Sequence, residues 1–290
     1  MIEIPASFRA MPRWWTDGAA WLDRLPDLVE RQCRTWGLSL DGAPAHGSNA
    51  LVLPVRREDT PLALRLAPVE DVADDLAPLR FWAGRGTVLL IEDDREAGAL
   101  LLERLDPRRT LMTEPLDSAG HQLGLIMNAL AVPADPSIRF TGDMVTDRLA
   151  EIPGQWVELG RPTTRAVLDR AVEAGAALTE VDGSRAANGD LHHDQVLAGT
   201  RAPWLCVDAR LLRGDRAYDL ARCLWTRIDE MPDAQTINDQ LAIIADAAEI
   251  DHDHARRSAL FRTLDYWLWG LAHGLTEDPI RCARLTDAIS

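Results

Sequence analysis

The chain has 290 residues and a formal charge of −15, from 31 basic and 46 acidic side chains. Every basic residue is an arginine, because the sequence contains no lysine. This absence excludes enzymes that form a Schiff base on lysine, and it excludes the Walker-type phosphate loop, which requires a lysine. The acidic balance argues against nucleic acid or an anionic membrane as a partner, since both bind basic surfaces, and it favours a cationic small molecule.

The cysteines and the start of the chain bear on the compartment. Cys33, Cys206, Cys223 and Cys282 are widely spaced and form no CxxC motif, so we expect reduced thiols. No apolar run approaches the roughly 18 residues of a membrane span, and the N-terminus lacks the basic start of a signal peptide. The sequence therefore predicts a cytoplasmic protein, whose oligomeric state is unknown.

The first hundred residues alternate short apolar runs with turn signals. In chain order they predict a helix at 25–36, a hairpin of 50–55 with 62–66, a helix at 69–83, and strands at 87–91 and 98–103. Pro26 is expected in the first turn of the first helix, and Gly37 just past its end. This order indicates a mostly antiparallel sheet with one inserted helix.

The pattern changes after Asp106. Helical periodicity predicts helices at 120–132, 141–152, 163–180, 216–229, 236–248 and 254–273. Between the third and the fourth of these lies a non-helical segment, 181–213, which is dense in Asp, His and Gly. We therefore predict an α+β protein, with a small β-rich lobe at 1–106 and a larger helical lobe at 107–290.

The non-helical segment carries the residues that indicate chemistry. Asp190 stands five residues before Gln195, and a short apolar strand then ends in Asp208. Phosphoryl transfer requires such a set. One carboxylate orients the attacking hydroxyl and accepts its proton, while a second carboxylate and an amide oxygen hold Mg²⁺ against nucleotide phosphates. The segment thus favours a kinase-type reaction.

Several motifs resemble those of one kinase family. They are Gly189-Asp190-Leu191-His192, Asp208, Gly214-Asp215 with Asp219-Leu220-Ala221, and the stretches 100–105, 265–270 and 274–278. Together they are similar to the aminoglycoside/hydroxyurea antibiotic resistance kinases, in particular the streptomycin 6-phosphotransferase type, from about Trp21 to Ile289. The resemblance implies the bilobal protein-kinase-like fold, with an N-lobe that binds nucleotide, a helical C-lobe that carries the catalytic loop and the acceptor pocket, and ATP and Mg²⁺ as cofactors.

The resemblance also implies roles for single residues. Asp190 matches the catalytic aspartate, and Gln195 and Asp208 match the Mg²⁺ ligands. Arg65 stands where the family has a phosphate-contacting lysine, and Asp75 where a helix glutamate pairs with that lysine. Further nucleotide contacts are assigned to a phosphate loop at Gly47, Ser48 and Asn49 and to the adenine-binding backbone at Glu103, Arg104 and Leu105.

The remaining assignments concern the acceptor and the support of the catalytic loop. The C-terminal helices line the acceptor pocket in this family, which points to Asp265, Trp269, Glu277 and Asp278 as acceptor-binding residues. Acidic side chains there would attract a cationic sugar. Structural roles under the loop are assigned to His192, Asp215 and Asp219.

Four positions depart from the family pattern. Asn188 replaces a His found in many relatives, Gln195 replaces Asn, Arg65 replaces Lys and Asp75 replaces Glu. Arginine is longer than lysine and aspartate shorter than glutamate, so an Arg65–Asp75 pair can still close. A misplacement of about 1 Å can cost on the order of 100-fold in rate, so we expect nucleotide binding but not fast turnover.

Simpler interpretations remain open for some of these residues. Asp190 and Asp208 could be loop carboxylates that cap backbone amides. His193 followed by an aspartate suggests a metal site but lacks a third ligand at a suitable spacing. The acidic and histidine-rich run 251–254 precedes a helix, where Asp commonly caps the first turn.

The sequence thus predicts an ATP–Mg²⁺-dependent O-phosphotransferase with a small, cationic acceptor. By resemblance the acceptor is an aminoglycoside of the streptomycin type, and the enzyme serves antibiotic resistance or self-protection. Two alternatives remain. The acceptor could be hydroxyurea or a metabolite alcohol, or the chain could be a nucleotide-binding pseudokinase, which the four departures favour.

Overall fold

A computed structural model describes residues 2–14 and 18–290. The chain divides into two compact units. The N-terminal unit comprises Met1–Asp106 with Gly199–Pro203, and the C-terminal unit comprises Pro107–Ala198 with Trp204–Ser290. None of the helices in the described ranges has both the length and the apolarity that a membrane crossing requires.

An antiparallel sheet dominates the N-terminal unit. Its strands are β1 (Ser39–Leu40), β2 (Ala45–His46), β3 (Leu51–Arg57), β4 (Thr60–Leu66), β5 (Leu90–Asp94) and β6 (Ala99–Glu103). Its helices are α1 (Ala6–Arg9), α2 (Ala19–Trp36) and α3 (Val69–Trp82), with a 3₁₀ turn at Pro12–Trp14. The strand order is β1–β3–β4–β6–β5, and β2 also pairs with β3. The predicted hairpin is confirmed as β3–β4, and α3 is the predicted inserted helix.

Two elements of this unit differ from the prediction. The helix α2 begins at Ala19 and not at residue 25, so Pro26 lies inside it. The additional turns bury Trp21 and Leu22 on the face that also buries Leu25, and this burial offsets the backbone hydrogen bond that Pro26 cannot make. Strand β5 covers Leu90–Asp94 and not the predicted 87–91, because it is an edge strand whose charged residues can face water.

Helices make up most of the C-terminal unit. They are α4 (Leu116–Leu130), α5 (Thr141–Glu158), α6 (Arg165–Ala176), α7 (Leu220–Thr226), α8 (Ala234–Ala247), α9 (His252–Ala272) and α10 (Glu277–Ile289). The predicted helix at 216–229 is in fact α7 flanked by 3₁₀ turns at Arg216–Asp219 and Ile228–Glu230. Helix α10 was not predicted, although its Cys282, Leu285 and Ile289 form a buried stripe at helical spacing.

Short strands hold the loops of this unit. They are β7 (Asp106–Thr110), β8 (Ala186–Ala187), β9 (Val196–Ala198), β10 (Trp204–Cys206) and β11 (Leu212–Arg213). One small sheet has the order β10–β9–β7, and β8 pairs with β11. The loop that carries Asp190 therefore starts from the β8–β11 pair and ends in the β9–β10 hairpin, which fixes both of its ends.

Candidate active site

Asp190 lies in a tight loop between β8 and a 3₁₀ turn at His193–Gln195. The preceding Gly189 has φ +83°, and a Cβ on it would lie 2.3 Å from Cδ1 of Leu212. Glycine is needed here both for the left-handed backbone and for the close approach of β11. The Gly-Asp pair is therefore a local structural requirement of the loop.

Asp219 holds this loop by a hydrogen bond to its backbone. Its buried Oδ1 accepts a hydrogen bond from the backbone N–H of Leu191 at 3.1 Å. The thiol of Cys223, one turn along α7, donates to the carbonyl of Leu191 at 3.2 Å. Burial raises the pKa of Asp219 to about 7, and repulsion from Asp190 adds to the rise. The backbone N–H and the carbonyl of Leu191 are thus both held by residues at the start of α7.

The carboxylate of Asp190 is partly exposed and has cationic neighbours. The Nε of Arg222 lies 3.2 Å from Oδ1, and the Nε of Arg210 lies 3.8 Å from Oδ2. The amide of Gln195 donates to Oδ2 at 3.5 Å. The sequence analysis did not single out Arg222 or Arg210. The one available signal was that Arg222 directly follows the Asp219-Leu220-Ala221 motif.

The neighbouring histidines are neutral. Burial, reinforced by Arg222, lowers the pKa of His192, and its Nδ1 contacts the carbonyl of Asp190 at 3.0 Å. Burial and nearby Arg227 lower the pKa of His193 to about 3. Within residues 2–14 and 18–290 there is no cluster of three His, Cys, Asp or Glu side chains that could bind a metal. A metal ion here would need at least one ligand of another kind, such as an amide oxygen.

Gln195 and Asp208 are brought together by their backbones. The N–H of Val207 donates to the carbonyl of Gln195 at 2.8 Å, which places the residue before Asp208 beside Gln195. The Oε1 of Gln195 is buried and has no hydrogen-bond donor within the described ranges. Asp208 itself is exposed. These are two oxygen ligands of the type that Mg²⁺ prefers.

Asn188, one of the departures from the family pattern, fastens the segment around Asp208. Its Oδ1 accepts from the backbone N–H of Arg210 at 2.9 Å, and its Nδ2 contacts the sulfur of Cys206 at 3.5 Å. Asn188 is buried. The amide therefore links the catalytic loop to both sides of Asp208.

The nucleotide-binding candidates lie in the N-terminal unit. Arg65 on β4 is buried and forms an ion pair with Asp75 on α3, so the expected pair is present. The Gly47, Ser48 and Asn49 loop connects β2 to β3, and Gly47 donates its N–H to the carbonyl of Ala50 at 3.1 Å.

The expected adenine-binding backbone has other contacts. The side chain of Glu103 accepts from the N–H of Leu89 at 2.7 Å and from Arg201 at 2.6 Å. Arg104 donates to the carbonyl of Leu62 at 2.8 Å, and Leu105 is buried. These side chains brace the end of β6, and the backbone N–H of Glu103 donates to the carbonyl of Leu89 at 2.9 Å.

A cavity of about 320 Å³ lies in the C-terminal unit. It is lined by Arg139, Met144, Asp147, Arg148, Tyr218, Arg262, Asp265, Tyr266 and Trp269. Asp265 and Trp269 were predicted to bind the acceptor, and both are in this wall. Glu277 and Asp278 are outside the lining set: Glu277 is exposed, and Asp278 accepts a hydrogen bond from the hydroxyl of Tyr266 at 3.0 Å.

The charge of this cavity differs from the expected acidic character. Asp265 is buried between two arginines, with Arg148 at 2.5 Å from one carboxylate oxygen and Arg262 at 3.0 Å from the other. Its negative charge is therefore already balanced. A stack of aromatic rings forms another part of the wall, with Tyr266 4.6 Å from Trp225 and 5.4 Å from Trp269 between ring centroids.

Asp215 holds a different part of the unit. Its Oδ1 accepts from the N–H of Ala217 at 2.9 Å, and its Oδ2 contacts Nε2 of His254 at 2.9 Å. This hydrogen bond raises the pKa of His254. Asp251 accepts from the N–H of His254 at 2.9 Å and caps α9, as the simpler interpretation of the 251–254 run suggested.

Comparison with known proteins finds the same family along nearly the whole chain. The sequence profile described as "Aminoglycoside/hydroxyurea antibiotic resistance kinase" matches residues 35–274. A streptomycin 6-kinase of Streptomyces griseus is 37% identical over 90% of this chain and 87% of its own. A hydroxyurea phosphotransferase of Kitasatospora aureofaciens is 33% identical over 97% of this chain and 84% of its own.

A solved structure shares the fold. A thermostable mutant of the aminoglycoside phosphotransferase APH(4)-Ia, crystallised with ADP and hygromycin B, superposes with a TM-score of 0.61. The alignment covers 89% of this chain and 97% of the other, at 16% identity. The predicted protein-kinase-like fold, with a β-rich N-terminal part and a helical C-terminal part, is confirmed.

Proposed function

Because the chain belongs to the aminoglycoside/hydroxyurea antibiotic resistance kinase family, we propose that it transfers the γ-phosphoryl group of ATP to a hydroxyl of a streptomycin-type aminoglycoside. The observation that carries this proposal is the combination of two facts. The chain shares 37% identity with a streptomycin 6-kinase over 90% of its length. Its Asp190 is partly exposed, beside Arg222, in a loop that Asp219 holds through the N–H of Leu191.

The chemistry assigned to the C-terminal unit follows from the contacts of Asp190. Its carboxylate accepts the proton of the acceptor hydroxyl, and the hydroxyl oxygen then attacks the γ-phosphorus as the bond to the ADP oxygen breaks. The nearby histidines do not compete for this role, because burial lowers the pKa of His193 to about 3 and lowers that of His192 as well. His192, Asp215 and Asp219 act as structural residues.

Gln195 and Asp208 fit the role of magnesium ligands. The buried Oε1 of Gln195 has no donor within the described ranges, and an oxygen in such a place is stabilised by a cation. One carboxylate and one amide oxygen do not complete an octahedral shell, and phosphate oxygens supply the rest in sites of this kind. Bound there, Mg²⁺ would neutralise charge that develops on the transferred phosphoryl group.

The N-terminal unit is assigned to the nucleotide. Arg65 contacts the phosphates and is oriented by Asp75, the loop of Gly47, Ser48 and Asn49 covers the phosphates, and the backbone of 103–105 binds adenine. The closed Arg65–Asp75 pair supports this assignment, because a guanidinium held by a carboxylate is directed before the nucleotide arrives. It also speaks against a pseudokinase, since two departures compensate each other.

A hydroxyurea kinase is the second candidate. The relative named hydroxyurea phosphotransferase covers 97% of this chain, at an identity close to that of the streptomycin kinases. Hydroxyurea is uncharged, and the balanced charge of Asp265 is compatible with an uncharged acceptor. The two candidates share the reaction and differ only in the acceptor.

An ATP-consumption assay with streptomycin, other aminoglycosides and hydroxyurea tests both. We expect turnover with one of these acceptors, and loss of turnover in Asp190→Asn, because an amide cannot accept the hydroxyl proton. A thermal-shift titration with ATP and Mg²⁺ serves as the control and should show that the variant still binds nucleotide. Wild-type turnover by Asp190→Asn would contradict the role of this residue. Nucleotide binding without turnover on any acceptor would favour the pseudokinase.

A further inference from the structure

The two oxygens of the Asp190 carboxylate have unequal surroundings. Oδ1 lies 3.2 Å from Nε of Arg222, whose side chain is 26% exposed. Oδ2 has only longer contacts, at 3.5 Å to the amide of Gln195 and 3.8 Å to Nε of Arg210. The side chain of Arg210 is 73% exposed, so solvent screens its attraction to Oδ2 more strongly. One oxygen is therefore held by a partly buried cation and the other is loosely engaged.

Arg222 is itself held in place by the core of the unit. It belongs to the first turn of α7, three residues after Asp219, which holds the Asp190 loop through the N–H of Leu191. Its guanidinium lies over the ring of Trp225 at 5.6 Å, and Trp225 is buried and stacked on Tyr266 at 4.6 Å with an angle of 12° between the rings. Tyr266 in turn lines the 320 Å³ cavity. The cation is thus positioned by a rigid aromatic stack.

The contact between Arg222 and Asp190 is an ion pair by distance, and the Nε–H direction does not meet hydrogen-bond geometry. Hydrogen bonds around catalytic groups are often long or poorly aligned before the reactants are bound. An ion pair depends on distance more than on direction, so the attraction that orients the carboxylate is already present.

We propose that Arg222 is a positioning residue that fixes Asp190 through Oδ1 and leaves Oδ2 to receive the proton of the acceptor hydroxyl. This inference rests on the proposed function, because it assigns the orientation of the same catalytic aspartate. In the step, the hydroxyl oxygen forms its bond to the γ-phosphorus, the bond between this phosphorus and the ADP oxygen breaks, and the proton moves to Oδ2. Arg222 takes no part in the bonds that form and break.

The same placement affects which acceptor group reaches Asp190. A cationic acceptor has ammonium or guanidinium groups that an unpaired aspartate would attract, and such a contact would place a nitrogen where the hydroxyl must react. The positive charge of Arg222 repels these groups from the Oδ1 side. Arg222 therefore favours the approach of a neutral hydroxyl, because specificity here comes from repelling the wrong group.

The test compares Arg222→Ala and Arg222→Lys with the wild type and with Arg170→Ala. Arg170 is exposed on α6, away from Asp190, and controls for the loss of one arginine. We expect kcat to fall on the order of 100-fold in Arg222→Ala, the loss that a misplacement of about 1 Å can cause, with KM for ATP unchanged. Arg222→Lys should recover part of the loss because it restores the charge. Millimolar guanidinium chloride should also restore part of the kcat of Arg222→Ala.

Two results would overturn the inference. The first is a wild-type kcat in Arg222→Ala, which would show that Asp190 needs no such partner. The second is a loss that neither lysine nor guanidinium restores and that comes with a lower melting temperature, which would make Arg222 a packing residue only. The proposed function is checked separately with Asp190→Asn. If that variant turns over as the wild type does, the role of Asp190 and the inference are both wrong. The proposed function itself fails only if the wild type turns over none of the acceptors.

Discussion

Asp219 offers a direct test of how the catalytic loop is supported. The carboxylate is buried, and it accepts the N–H of Leu191 at 3.1 Å. Burial raises its pKa from 3.8 to about 7. In Asp219→Asn the amide oxygen can still accept that N–H, but the side chain can no longer ionise. The substitution therefore removes the cost of burying a charge and retains the contact with the loop.

The magnitude and its sign follow from the difference between the folded and unfolded chain. Below pH 3.8 both states carry the proton, and above pH 7 neither does. Between these values only the folded state carries the proton, so the stability of the wild type falls as the pH rises. Each pKa unit is worth about 1.36 kcal/mol, so the rise from 3.8 to about 7 corresponds to about 4 kcal/mol. Roughly 2 to 3 kcal/mol of this falls between pH 5 and pH 8.

Urea unfolding of the wild type and of Asp219→Asn at several pH values measures this difference. Between pH 5 and pH 8, the free energy of unfolding of Asp219→Asn should rise by roughly 2 to 3 kcal/mol relative to that of the wild type. Asp287→Asn, which removes one exposed carboxylate on α10, is the control for the loss of a surface charge. The reasoning would be refuted if the difference in free energy of unfolding between Asp219→Asn and the wild type were the same at pH 5 and at pH 8. That result would mean that Asp219 is charged in the folded chain over this whole range.

Two further predictions concern ion pairs that involve predicted site residues. Arg65→Lys should lower kcat/KM for ATP by about tenfold, or 1.4 kcal/mol, because lysine is shorter and cannot reach Asp75 as the guanidinium does. Adding Asp75→Glu should recover part of this loss in a double-mutant cycle. If Arg65→Lys is as fast as the wild type, Arg65 and Asp75 have not adapted to each other. Asp265→Ala should destabilise the fold by about 3 to 5 kcal/mol in chemical denaturation, because it leaves the cations of Arg148 and Arg262 without the carboxylate between them. Trp269→Ala should have the opposite profile, because this ring is 40% exposed in the cavity wall: KM for the acceptor should rise with little change in stability. An unchanged KM would show that Trp269 does not bind the acceptor.

Sequence patterns predicted the sheet of the N-terminal unit well, because local signals define it. Alternating apolar residues fix β3 and β4, and the turn between them follows from their pairing of Arg57 with Thr60. The start of α2 was wrong because a proline inside a helix reads as a beginning, and only the packing of Trp21 against the sheet shows that the helix continues past it. Local patterns cannot show that tertiary burial compensates for a proline inside a helix.

The candidate site was predictable where a motif carried it and not where charge balance decided it. The Gly189–Asp190 pair and the contact of Asp219 with the loop follow from residues at fixed spacing. The contact of Asp265 with Arg148 could not be foreseen, because Arg148 is 117 residues away in the sequence, whereas Arg262 is one helical turn before Asp265. An acidic residue in a pocket therefore looked like a ligand for a cation until its partners were known.

The absence of lysine connects these observations. All 31 side chains counted as basic are planar guanidinium groups, and a guanidinium can hold a carboxylate through several N–H groups with less loss of freedom than an ammonium. Five acids assigned to the site from sequence have arginine partners in the structure: Asp75, Glu103, Asp190, Asp265 and Asp278. Asp208 is exposed and is outside the ion pairs found in the described ranges. A divalent cation would therefore find the carboxylate of Asp208 accessible, whereas each of the five paired carboxylates already has a guanidinium beside it.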